Sequence, residues 1–322
     1  MSQDNFIRIQ VVERELVDID NFMRNFKKRL DARQFPIRVK INEGPDLNLL
    51  YTENTNFVKY LLRFTNAKNI EIETDNLLEN NNELKIIKFF NHLPFLAYQN
   101  YQPSDKTFVR KFMQFVGNYR WPRFVISQWL HQNHCNDSLL TFWFAHNYLA
   151  QPPAELLKYL TKQQILDHSK RLPLKIDTNE IREHEGYIDW KHTSPILPYY
   201  DKAFLDIVCE TWHEGNTFMP TEKIGRPLIC KNPFIVYGPK NFLYNMKRLG
   251  FKTFDKFWSE DYDNFQGMDR IEKIKVLVND ISLMSAKEIK TLYGTLLPIL
   301  DHNQDIYKKI NREKIMKVFD EN

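Results

Sequence analysis

Thr221, Glu222 and Lys223 stand together at the start of a helix-like segment, and an apolar run, Pro-Phe-Ile-Val-Tyr-Gly at 233–238, follows closely. These residue types suit a phosphate ester. The start of a helix offers free backbone N–H groups and the positive end of the peptide dipole. Lys223 adds a point charge, and Glu222 can accept hydrogen bonds from ribose hydroxyls. Together they would hold a nucleoside diphosphate. A second cation, Arg123, ends the turn Gly-Asn-Tyr-Arg-Trp-Pro-Arg at 117–123 and opens a helix-like stretch at 124–132, with Arg120 and Arg226 as rivals for a phosphate. Glu210 closes an apolar run at 203–210 and is the carboxylate best placed for an active-site role.

Such side chains need a rigid scaffold, and the periodicity supplies one. Period-two alternation predicts strands at 6–12, 37–41 and 69–74, and 84–90 is apolar enough for another. Helical spacing predicts helices at 13–30 and 55–64. Further on, strands are expected at 108–116, 138–144, 203–210 and 233–237, with a short one at 251–254. Helices are expected at 124–132, 222–229 and 241–248, with two polar helical stretches within 151–175. Three amphipathic helices, 271–283, 286–297 and 306–319, close the chain. Alternating strands and helices imply an α/β fold with parallel sheets and helices on both faces. In such sheets ligands lie at the carboxyl ends of strands, where Glu210 and the Tyr237-Gly238 turn fall. The organisation reads as one α/β domain at 1–107, a second, ligand-binding domain at 108–285 and C-terminal helices at 286–322 that can pack back on the first domain.

Composition narrows the classes. The chain has 322 residues, 43% hydrophobic and 14% aromatic, enough for a sizeable core and against disorder. Its 9 glycines form no phosphate-cradling loop, so side chains and a helix end must grip any nucleotide. A net charge of +4 suits an anionic substrate and tolerates nucleic acid without requiring it. Three cysteines, Cys135, Cys209 and Cys230, match no zinc spacing and read as buried thiols of a reducing compartment. With no basic-then-apolar leader and no apolar run of membrane-spanning length, the expectation is a soluble cytoplasmic protein.

Three pieces of the chain resemble GT-B glycosyltransferases of the α1,3-fucosyltransferase type and related viral and bacterial transferases. They are FVGNYRWPRFVISQWL at 115–130, AFLDIVCETWHEGNTFMPTEKIGRPLI at 203–229 and NPFIVYGPKNFLYNMKRLGFKTF at 232–254. Gly117 stands where the family carries a Ser. The resemblance implies two Rossmann-like domains and a metal-independent transfer of a sugar from a nucleotide-sugar to a hydroxyl of a glycan or other polymer, with no further cofactor. It assigns Arg123 and Lys223 to the diphosphate and Glu222 to the ribose, with Asn118, Thr221, Tyr237 and Gly238 around the donor.

The diphosphate leaves with growing negative charge, so two cations would aid departure as well as binding. Asp261-Tyr262-Asp263 has the form of a metal-binding triplet, but it sits in an apparent loop. An inverting transfer also needs a base near the acceptor. Glu53, Glu73, Asp75 and His92 are available in the first part, and Glu73 and Asp75 lie at a strand end. Two other functions fit the sequence: glycosylation of a modified base in DNA, and a non-catalytic binding or assembly module on the same fold.

Overall fold

The computed structural model describes residues 6–12, 15–41, 44–90, 95–142, 153–174 and 196–320. The chain folds as an α/β protein in two compact units. One comprises Met1–His92, Trp212–Met219 and Asn311–Asn322, the other Leu93–Thr211 and Pro220–Ile310. Residues 93–107 and most of the C-terminal helical region thus fold with the second unit.

The first unit is built on β1 (Phe6–Val12), β2 (Glu15–Val17), α1 (Ile19–Asp31), β3 (Ile37–Ile41), β4 (Tyr51–Thr52), β5 (Thr55–Asn56), α2 (Phe57–Leu61), β6 (Ile70–Thr74) and β7 (Lys85–Lys88). Among the described residues these strands form one sheet in the order β5-β4-β2-β1-β3-β6-β7. Neighbours from β1 through β7 are parallel, whereas β1 pairs antiparallel with β2 and β4 with β5. The sheet is therefore mixed, a correction to the expected parallel one. Ile37, Val39 and Ile41 are buried with Ile70 and Ile72 from β6, and Phe22 and Phe26 of α1 join their core. Asp18 caps α1 by accepting from Asn21 N–H at 3.3 Å. The cap explains why the helix starts at Ile19 and not at residue 13: Glu15–Val17 is already committed to the ladder beside β1.

Beyond the carboxyl ends of β3 and β6, segment Trp212–Met219 packs onto this unit. Asn76 Oδ1 accepts from Phe218 N–H at 3.0 Å and Asn76 Nδ2 donates to the Asn216 carbonyl at 3.0 Å. Asp46 accepts from Asn216 N–H at 2.7 Å, and Thr217 donates to the Gly44 carbonyl.

The second unit carries β8 (Arg110–Val116), α3 (Trp121–His134), β9 (Ser138–Phe142), α4 (Lys162–Ser169), β10 (Ala203–Cys209), α5 (Glu222–Cys230), β11 (Phe234–Tyr237), α6 (Phe242–Arg248), α7 (Gly267–Ser282) and α8 (Ala286–Lys309). Its described strands are all parallel in the order β11-β10-β8-β9. Every residue of β10 and β11 is buried, as expected for strands covered on both faces. The chain leaves β8 for β9 on one side and then returns past β8 to β10. The direction of winding therefore reverses between β8 and β10, and the crevice at their carboxyl ends is where a doubly wound sheet holds a ligand.

Two contacts fix α5 over this sheet. Thr221 caps the helix, accepting from Lys223 N–H at 3.3 Å. Gly225 lies so close to α8 that a Cβ there would come within 2.6 Å of the Phe95 carbonyl and 2.8 Å of Tyr307 Oη. Behind β11, the fully buried Arg270 donates to the Val236 carbonyl at 2.8 Å and pairs with Asp263 at 2.9 Å.

Other expectations shift at element ends. The helix expected at 55–64 is only Phe57–Leu61, because Asn56 caps it and Thr55–Asn56 pairs with β4. Residues 251–254 form no strand: Asn303 engages the N–H and carbonyl of Lys252, and Glu260 accepts from Phe254 N–H. The helix expected at 286–297 continues through Pro298 to Lys309, and extended backbone at Ile310 separates it from the last helix, Arg312–Asp320. Among the described residues no helix is long and apolar enough to cross a membrane.

Candidate functional site

The crevice between β8 and β10 is lined by cations. Arg123 lies in the first turn of α3, the helix that follows β8, and its side chain reaches across the reversal point. Its guanidinium donates to the Asn118 carbonyl on the β8 side at 3.0 Å and to Thr211 Oγ1 on the β10 side at 3.3 Å. Lys223, from the first turn of α5, donates to the same Thr211 Oγ1 at 3.1 Å. It also donates to Thr221 Oγ1 at 3.3 Å and Glu222 Oε1 at 2.7 Å. Helix starts behind two adjacent strands thus bring two charges to one hydroxyl.

The two cations differ in how they are balanced. Lys223 has Glu222 as its ion-pair partner, and Glu222 is buried. Arg123 is only 4% exposed, yet among the described residues no carboxylate comes within ion-pair distance of it. Burial lowers the Arg123 pKa, and lowers that of Lys223 against the pull of Glu222. Glu222 and Glu210 attract Arg123 from beyond ion-pair distance, which offsets part of the cost of burying its charge.

The carboxylates divide in their roles. Burial pushes the Glu222 pKa up, but the charges of Lys223 and Arg226 outweigh it, so the group is held below its ordinary value and stays ionised. Glu210 is buried and engages both oxygens on Thr221, accepting from its N–H at 3.3 Å and its hydroxyl at 2.5 Å. Burial raises the Glu210 pKa. Its geometry is that of a strut which ties the end of β10 to the cap of α5 and so sets the height of Glu222 and Lys223.

The remaining expected residues fall as follows. Asn118 is exposed after β8 and contributes its carbonyl to Arg123. Thr221 is the hub of the cap. Tyr237 is fully buried, its ring edge-on to Trp121 at 6.2 Å, which is a core position. Gly238 begins the turn from β11 into α6, where a Cβ would lie 3.2 Å from the Phe242 ring. Glu73 and Asp75 belong to the first unit. Glu73 is ion-paired with Lys40 at 2.6 Å, and Asp75 is 2% exposed just beyond β6. His92 lies outside the described residues. Asp261 and Asp263 diverge: Asp261 pairs with Lys273 at 2.6 Å and Asp263 with Arg270. Among the described residues no group of three or more His, Cys, Asp or Glu side chains is placed to hold a metal ion.

Thr211 is the site residue that the sequence reading passed over. Its signal was position alone, the first hydroxyl after the last buried residue of β10. Gln114 and Asp206 were passed over as well: Gln114 interrupts the apolar run at 112–116 of β8, and Asp206 is the one charged residue of β10.

No protein-family model matches the chain, and neither a curated protein nor a solved structure does.

Proposed function

We propose that the second unit binds a nucleoside diphosphate-sugar at the β8–β10 crevice and that the protein transfers the sugar to a hydroxyl of a glycan or other polymer, on a GT-B-like fold. The observation that carries this reading is the meeting of Arg123 and Lys223 on Thr211 at the winding reversal, beside an ionised Glu222. Phosphate oxygens would join the Thr211 hydroxyl as acceptors for both cations, and charge-assisted bonds of this kind are about twice as strong as neutral ones. Glu222 would accept from ribose hydroxyls. As the bond from the anomeric carbon to the diphosphate oxygen breaks, the same cations would stabilise the departing charge.

Incubation of the purified protein with UDP- and GDP-sugars tests the transfer chemistry. Slow release of free sugar, lost in Lys223→Ala, is the expected result. Nucleotide binding with no sugar release from any donor would favour a second reading, a non-catalytic nucleotide-binding module. That reading has its own support: Glu210 engages both oxygens on Thr221, and Glu73 is paired with Lys40.

A further inference from the structure

Beneath the candidate site, α5 and the middle of β8 and β10 line a small, partly open cavity whose walls include Gln114, Tyr200, Asp206, Cys209, Lys223 and Arg226. It has room for about one water. Its polar walls are incompletely satisfied. Gln114 is 1% exposed, its Nε2 donates to Cys209 Sγ at 3.4 Å, and its Oε1 has no hydrogen-bond partner among the described residues. Arg226 is 4% exposed, and its one hydrogen bond among the described residues runs from Nε to Tyr98 Oη at 3.4 Å. No carboxylate lies within ion-pair distance of it there. Asp206, which also lines the cavity, accepts from Tyr200 Oη at 2.7 Å through Oδ2.

A buried guanidinium offers only donors, and Gln114 Oε1 only accepts. The occupant of a space between them must do both, which a monatomic anion cannot. We propose that this cavity binds a single water that accepts from Arg226 and donates to Gln114 Oε1 and Asp206, and that the bridge positions Arg226 one turn below Glu222. Water is the species that satisfies several buried polar groups in so small a volume. Arg226 is then a positioning residue: it acts on the crevice through Glu222, whose ionised state it supports from the same face of α5. This second half rests on the nucleotide reading given above.

A crystal structure of the full chain, with crystals soaked in sodium bromide, tests the site directly. The expected result is a water peak within hydrogen-bond distance of Gln114 Oε1 and the Arg226 guanidinium, without anomalous signal. A dry cavity, or an anomalous bromide peak, would overturn the proposal. For the positioning role, UDP and GDP titrations of Gln114→Leu and Arg226→Lys should show several-fold weaker binding than the unaltered protein. Unchanged affinity in both would remove that role. If the unaltered chain binds neither nucleotide, the nucleotide reading fails, while the crystallographic result still decides the water site.

Discussion

Arg123 and Lys223 donate to the same atom, Thr211 Oγ1, at 3.3 and 3.1 Å, from the first turns of two different helices. The shared hydroxyl gathers both charges without neutralising either. Thr211→Val should therefore leave the fold intact, because the valine fills the same volume, yet release both cations from their common anchor. Nucleoside diphosphate binding should weaken by about 1 kcal/mol, the scale of a lost hydrogen bond. Thr211→Ser should retain most of the affinity. Isothermal calorimetry on the two variants checks this, and equal losses in both would contradict the anchor role.

Gly225 gives a stability prediction whose sign opposes helix propensity. In an exposed helix, Gly→Ala gains about 1 kcal/mol. Here the added methyl would meet the Phe95 carbonyl at 2.6 Å and Tyr307 Oη at 2.8 Å, and one of those atoms is backbone. Overpacking of this kind typically costs about 1–3 kcal/mol. Gly225→Ala should lower the urea midpoint, and a rise would show that α8 packs against α5 more loosely than described.

Asp206 sets a pH dependence. Burial pushes its pKa from 3.8 up to about 7, against the hydrogen bond from Tyr200 and the charge of Arg226. Because the folded value lies above the unfolded one, its contribution to stability is fully present below pH 3.8 and is lost as pH rises through 7. Asp206→Asn stays neutral and can still accept from Tyr200. Between those limits the variant should gain on the original protein by at most about 1.4 kcal/mol per pH unit, with no gain in acid. Chemical denaturation at pH values across that window reads the difference, and parallel curves would contradict it.

The sequence was most legible where one periodicity ruled without competition. Strands β1 and β3 and the buried runs of β10 and β11 were read nearly to the residue, because alternation or continuous apolar character leaves few other arrangements. Glu15–Val17 was misread because apolar residues at helical spacing run on into α1, and only the Asp18 cap and the pairing with β1 separate the two elements. The mixed character of the first sheet depends on pairs such as Tyr51 with Asn56, a tertiary choice that no local pattern encodes. At the site, Lys223 and Glu222 were legible as a capped, charged first turn. The convergence of Arg123 on Thr211 was not, because it depends on the strand order. For Glu210 the strand-end position was legible, whereas the acceptance of both Thr221 donors by its two oxygens depends on where α5 begins.

The central claim is that Arg123 and Lys223 together hold a nucleoside diphosphate. Calorimetric titration of UDP and GDP into the unaltered protein, Arg123→Ala and Lys223→Ala tests it most directly. The account predicts binding of at least one nucleotide by the unaltered chain and a loss of about 1.5–3 kcal/mol in each variant, the range for hydrogen bonds to charged groups. Because the two cations share Thr211, the double variant should lose less than the sum of the two. Equal affinity in all three proteins, or no binding by the unaltered chain, would contradict it.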